Sequence, residues 1–130
     1  MKILGIDFGL KNIGLAISDG YLAEPFGALT FKDLKDAVEK IANICLKNEI
    51  DLMVLGVPEG KILSKIESFS KSLGERTSVP LVFQDETLTT KEAEAKMFEA
   101  GKPKQKRKKD KHIISACLIL QSYIDQKREK

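Results

Sequence analysis

Apolar positions along this chain follow two spacings, and the switch from one to the other marks out its elements. Lys2 to Phe8 and Ile13 to Ser18 are short apolar runs of strand character. Gly9 closes the first, and the turn dipeptide Asp19-Gly20 closes the second. Only residues 9–12 separate the two runs, which predicts an antiparallel hairpin. Phe26 to Phe31 predicts a third strand, with Pro25 at its start, where a missing N–H costs least. Leu34, Val38, Ile41 and Cys45 then recur at helical spacing, and Ala37, Ile44 and Leu46 widen the stripe. Asp51 to Leu55 is almost wholly apolar and reads as a strand buried on both faces. A second helix carries Ile62, Ile66, Phe69 and Leu73 on one face and stops at Gly74; a strand follows from Leu81 to Phe83. Thr89 to Glu92 fits a capping box for a helix that ends at Gly101. The last helix starts near Asp110, with Ile113, Cys117, Leu120 and Ile124 on its apolar face and Ile114, Leu118 and Ile119 broadening it. The order predicts a single α/β domain over residues 1–130, a mixed sheet with an antiparallel hairpin, parallel strands and helices on both faces.

Composition narrows the function. At 130 residues, 42% hydrophobic and 32% charged, the chain has the material for one core and a solvated surface. It has no run of eighteen apolar residues to span a membrane. Asp7 interrupts the N-terminus before a signal-peptide apolar region could form, which points to the cytoplasm. Cys45 and Cys117 lie in helical apolar patterns and read as reduced core thiols; neither has the Cys or His neighbours of a zinc site. The net charge of +3 is unevenly spread. Lys102 to Lys111 holds seven Lys/Arg and one Asp, leaving 15 basic against 18 acidic residues elsewhere. Read as a loop beside the last helix, this segment suits a phosphate backbone, through counterion release, better than it suits a purely solvated surface.

Charged residues on apolar strands carry the chemistry. Asp7 sits between Ile6 and Phe8, where an unpaired carboxylate is expensive to bury, so a cation, N–H donors or a metal must compensate it. Gly5 and Gly9 flank it and allow backbone or phosphate to come close. Asp85-Glu86 ends a second apolar strand just before a helix start. In a mixed sheet these acids can meet in the crevice beyond the strand ends. Converging carboxylates suit Mg²⁺ or Mn²⁺. Each acid also has a plainer role, Asp7 as a turn cap and the 85–86 pair as partners of a helix dipole.

Gly5 to Asp19 (GIDFGLKNIGLAISD) resembles the opening motif of the YqgF family, bacterial ribonuclease-H-like proteins also called pre-16S rRNA nucleases or Holliday junction resolvases. Gly56-Val57-Pro58, Asp85 to Thr90, Gly101 to Lys109 and Ile119 to Tyr123 resemble its later blocks, in order. The resemblance implies a ribonuclease-H-like fold and metal-dependent hydrolysis of phosphodiester bonds in maturing the 5′ end of 16S rRNA. It places a site for Mg²⁺ or Mn²⁺ on Asp7 and Glu86, and the family's third aspartate falls on His112, with Asp110 two residues out of register. Asn12 and Thr87 stand where arginines are common, and the loop from Pro58 to Leu63 is short. His112 is thus the candidate third ligand and catalytic residue. Lys11, Lys104, Lys106, Arg107, Lys108 and Lys109 are the candidate contacts to nucleic acid, pre-rRNA or alternatively four-way junction DNA. A resolvase normally needs a symmetric dimer, and this short sequence offers no obvious dimer surface, so a monomer is expected. A binding module with an impaired site is the other alternative. An ATP-binding domain of the sugar-kinase type shares the Asp-x-Gly turn but places ATP between two such domains, more chain than is present.

Overall fold

The computed structural model describes residues 1–58, 64–85 and 104–128, with backbone alone for 104–109. Five strands form one sheet: β1 (Ile3–Phe8), β2 (Asn12–Ser18), β3 (Glu24–Thr30), β4 (Leu52–Val57) and β5 (Leu81–Asp85). Their spatial order is β3-β2-β1-β4-β5. The predicted hairpin is present, with Asp7 opposite Gly14 in an antiparallel β1–β2 pair. β3 adds antiparallel to β2, whereas β4 and β5 run parallel to β1. β3 starts at Glu24, opposite Ile17, rather than near Phe26; the register slips between Leu15 and Ala16, so that Phe26 is the extra residue of a bulge beside Gly27, at φ +157°. Pro25 is tolerated because β3 is an edge strand.

Helices α1 (Leu34–Lys47) and α2 (Ser64–Arg76) cover one face, and α3 (Lys104–Arg128) covers the other. Asp33 caps α1 by accepting from the Asp36 N–H at 2.8 Å, and Asp36 accepts in return from the Lys32 N–H at 2.9 Å. The first face buries Leu4, Ile6, Ile41, Met53, Leu55, Phe69 and Leu73 as a contiguous core. Leu46 is not part of it: at 80% exposed, it lies on the solvent side of α1. Helix α2 runs on past Gly74 to Arg76, whose guanidinium reaches Glu39 of α1 at 2.6 and 3.2 Å. The capping box at Thr89 to Glu92, the helix expected to end at Gly101, and Ile62 lie outside the described residues.

The largest departure concerns the basic segment. From Lys104 onward it is not a loop but the first turns of α3, six residues earlier than Asp110. Lys, Arg and Gln are good helix formers, and the segment contains no glycine or proline after Pro103, so charge density alone was a poor guide to loop structure. The face of α3 set against the sheet is narrower than the expected one and includes Ala116. Ala116, Ile119, Leu120 and Ile124 are buried, while Ile113 and Cys117 are only half-buried.

Candidate active site

Helix α3 lies almost directly on the backbone of the hairpin. A Cβ at Gly5 would come within 2.8 Å of the Leu120 Cβ and 2.9 Å of the Ala116 carbonyl. A Cβ at Gly14 would collide with the backbone carbonyl of His112. At Gly9 it would meet the His112 ring, 2.8 Å from Cε1 and 2.9 Å from Nε2. Two strand glycines, Gly5 and Gly14, and Gly9 in the turn between the strands therefore seat one helix, and what approaches Gly5 and Gly9 is that helix and its histidine. The far end is pinned as well. Gln121 Oε1 accepts from the Ala23 N–H at 2.8 Å, and the Arg128 guanidinium lies over the Tyr21 ring, 4.3 Å from its centroid.

This seating carries His112 to Asp7. Asp7 is 8% exposed at the carboxyl end of β1, on the face covered by α3, and its Oδ2 lies 2.6 Å from His112 Nδ1. A carboxylate accepts, so Nδ1 is the donor in this contact, and the other ring nitrogen, Nε2, lies beside Gly9. The buried carboxylate thus gains the partner its position requires. Asp7 Oδ1 and His112 Nε2 remain as the two donor atoms of the pair.

Register fixes the neighbours. Asn12 shares the α3 face of β2 with Gly14, and its buried side-chain oxygen has no hydrogen-bond partner among the described residues. Gln84, 8% exposed, lies on the same face of β5 as Val82. Asn12 stood out in the sequence only as a departure from the motif's arginine; Gln84 did not stand out, though a polar residue at an apolar-strand position was the available signal. Asp85 ends β5 in register with Val57, and the pleat turns it to the side away from Gln84 and Asp7. Glu86 lies outside the described residues, as do the side chains of Lys104, Lys106, Arg107, Lys108 and Lys109. Lys11 is exposed in the turn after β1. Among the described residues, no three His, Cys, Asp or Glu side chains converge as a metal cluster.

The family model for RuvX, described as Holliday junction resolvase, matches residues 1–126. The chain belongs to this family. It is the one that the motifs resemble under the name YqgF. A relative from Syntrophus aciditrophicus (strain SB), named "Putative pre-16S rRNA nuclease", is 36% identical and aligns over 96% of this chain and 89% of its own. Among solved structures, the fowlpox virus Holliday junction resolvase matches with a TM-score of 0.63 at 17% identity, covering 97% of this chain and 99% of that one. Thermus thermophilus RuvC, solved with a Holliday junction substrate, matches with a TM-score of 0.58 at 13% identity, covering 92% and 90%. At such identities the two structures establish the fold, a ribonuclease-H-like mixed sheet, as expected from the motifs. Among the described residues, no helix is long and apolar enough to cross a membrane.

Proposed function

We propose that this RuvX-family chain is a metal-dependent nuclease that hydrolyses phosphodiester bonds during 5′-end processing of pre-16S rRNA, acting as a cytoplasmic monomer. The observation that carries the reading is the Asp7–His112 contact at the carboxyl end of β1, where open α/β sheets place their ligands. The donors suit a divalent ion: a hard carboxylate oxygen, an imidazole nitrogen and, on the same face, the orphaned Asn12 oxygen. Asp7, Glu86 and His112 would hold Mg²⁺ or Mn²⁺, which when bound supplies a polarised water and positive charge near the leaving oxygen. The protein's own part is positional. Asp7 orients the imidazole, and the glycine seat fixes the distance between helix and strand. Lys11 and the basic first turns of α3, Lys104 to Lys109, bind the phosphate backbone beside the site.

The relative's name favours RNA, and the family's description keeps junction DNA as the second reading. A third, a binding module with an impaired site, is motivated by Asn12, Thr87 and His112 at the positions where the motif departs. One experiment separates them: a pre-16S 5′ fragment and a four-way DNA junction, each incubated with the protein and Mg²⁺, Mn²⁺ or chelator. Metal-dependent cleavage of the RNA by a monomer, measured by light scattering, supports the proposal. Paired cuts in the junction by a dimer support the resolvase. Binding of both without cleavage supports the module.

A further inference from the structure

The carboxyl end of β1 has two sides. Asp7 faces α3, and Phe8, the next residue, packs into the opposite core. On that side a cleft of about 370 Å³ opens between the end of β1, the β1–β2 turn and the first turns of α1 and α2. Two of its lining residues, Phe8 and Phe31, are aromatic, and the buried Phe69 backs them. Phe8 stacks on Phe31, with ring centroids 5.6 Å apart and planes 25° from parallel, and on Phe69 at 4.5 Å and 28°. Leu10, an apolar side chain 74% exposed, stands at the rim. Lys32 and Lys65 bring two positive charges to the same opening. The acid there, Asp33, is occupied in capping α1.

An aromatic wall alone would take many apolar groups, and lysines alone would take any polyanion. Together they match a nucleotide, whose base stacks on a ring while its phosphate meets ammonium groups. A base inside a duplex keeps its faces stacked on its neighbours, so the occupant must be unpaired. Asp7 and Phe8 are consecutive, with Cα atoms about 3.8 Å apart, so one strand crossing the sheet end can engage both sides. The geometry points to a subsite in this cleft for one unpaired nucleotide of an RNA strand, next to the nucleotide whose phosphate reaches Asp7. The binding claim stands on the cleft itself, and its adjacency to cleavage rests on the nuclease reading above. Its consequence is selectivity for single-stranded RNA around the scissile bond.

The test measures binding of an end-labelled single-stranded RNA, and of the same RNA annealed to its complement, by anisotropy in chelator so that cleavage plays no part. Phe31→Leu keeps apolar volume but removes the stacking face, and should weaken single-strand binding by about 5- to 150-fold while leaving duplex binding unchanged. Lys65→Gln, an exposed change that the fold tolerates, should lower the salt dependence of single-strand binding by about 0.7 log units per log unit of salt. Wild-type affinity and slope in both variants, or equal loss of single-strand and duplex binding, overturns the subsite. Loss confined to single strands in a protein that cleaves nothing upholds the subsite and rejects the nuclease. Unchanged binding in a protein that cleaves does the reverse.

Discussion

Both faces of the sheet bury apolar side chains, but the helices sit on them at different closeness. Under α1 and α2, large side chains fill the space between helix and strand; Phe69, Ile41, Met53, Leu55 and Leu73 are all inaccessible. Under α3, Ile3, Val54, Ile119, Leu120 and Ile124 also bury apolar side chains, but over the hairpin Gly5, Gly14 and the turn residue Gly9 let the helix come in with Ala116, its own carbonyls and the His112 ring. The first arrangement removes apolar area from water and holds the fold. The second brings backbone against backbone, so the helix has little freedom to slide, and the Asp7–His112 contact is built on it. A lost carbon should therefore matter most on one face, and an added carbon on the other.

The largest effect should come from the charge itself. Asp7→Asn keeps the shape and an oxygen that can accept from His112 Nδ1, so the fold should survive. It removes the carboxylate charge that a divalent ion requires, and cleavage should drop by orders of magnitude while RNA affinity changes little. Single-turnover cleavage at matched metal and protein concentration checks this. A rate equal to the wild type would show that the α3 face is not the nuclease site.

A pair of substitutions tests the contrast between the faces. Phe69→Ala should cost about 3–5 kcal/mol of stability in urea unfolding yet leave the rate of the folded fraction at saturating RNA near wild type. Gly14→Ala should cost less, roughly 1–3 kcal/mol as overpacking. It should nonetheless depress cleavage more, because the new methyl displaces the His112 carbonyl and with it the ring at Asp7. A Gly14→Ala protein with wild-type turnover would break the claim that the glycine seat sets the site.

The same contrast governs how much of the molecule was legible in its sequence. Where side chains do the packing, their spacing shows: Leu34, Val38, Ile41 and Cys45 marked α1, and the apolar run before Gly56 marked β4. Where backbone does the packing, the pattern is silent. Glycines flanking Asp7 signalled a close approach without saying what approaches, and the apolar residues of α3 gave a face broader than the one in contact, which keeps Ile119, Leu120 and Ile124 and adds Ala116. The start of α3 was hidden by charge, since lysines favour helix and loop alike until something packs against them. Asp7 was visible as an acid among apolar residues. The motif alignment identified the position of His112, but its direct bond to Asp7 depended on the seating of a helix 105 residues away.

His112 allows a sharper test on the α3 face. A site of carboxylates and one imidazole is softer than one of three acids, and Mn²⁺ accepts nitrogen more readily than Mg²⁺. The wild type should therefore cleave faster in Mn²⁺ than in Mg²⁺, and His112→Asp should shift the preference toward Mg²⁺. His112→Ala removes both the donor and the hydrogen bond to Asp7, and should lower the rate in either metal. Rate and metal preference untouched by His112→Ala would leave His112 as packing over Gly9 and nothing more.

The smallest effect lies in the two thiols, one on each face. Cys45 belongs to the core under α1, 3% exposed, whereas Cys117 packs half-buried against the α3 cluster. Burial pushes the Cys45 thiol up to about 11. The thiolate is the reactive form, so at pH 8 only about one Cys45 in a thousand would be ionised even if reagent could reach it. A disulfide reagent at pH 8 should label Cys117 first and Cys45 only on the timescale of opening. The sign of the pH dependence follows from the same shift. Unfolding returns Cys45 to its ordinary value of 9.0, so the unfolded chain binds fewer protons between pH 9 and about 11, and stability falls as pH rises through that window. Cys45→Ala should flatten that fall, at the cost of a small cavity. The thiols also report on the two faces: Phe69→Ala should speed Cys45 labelling and leave Cys117 alone, whereas Gly14→Ala should speed Cys117. If either substitution speeds both thiols equally, the faces open together, and the division between a stabilising face and a positioning face does not hold.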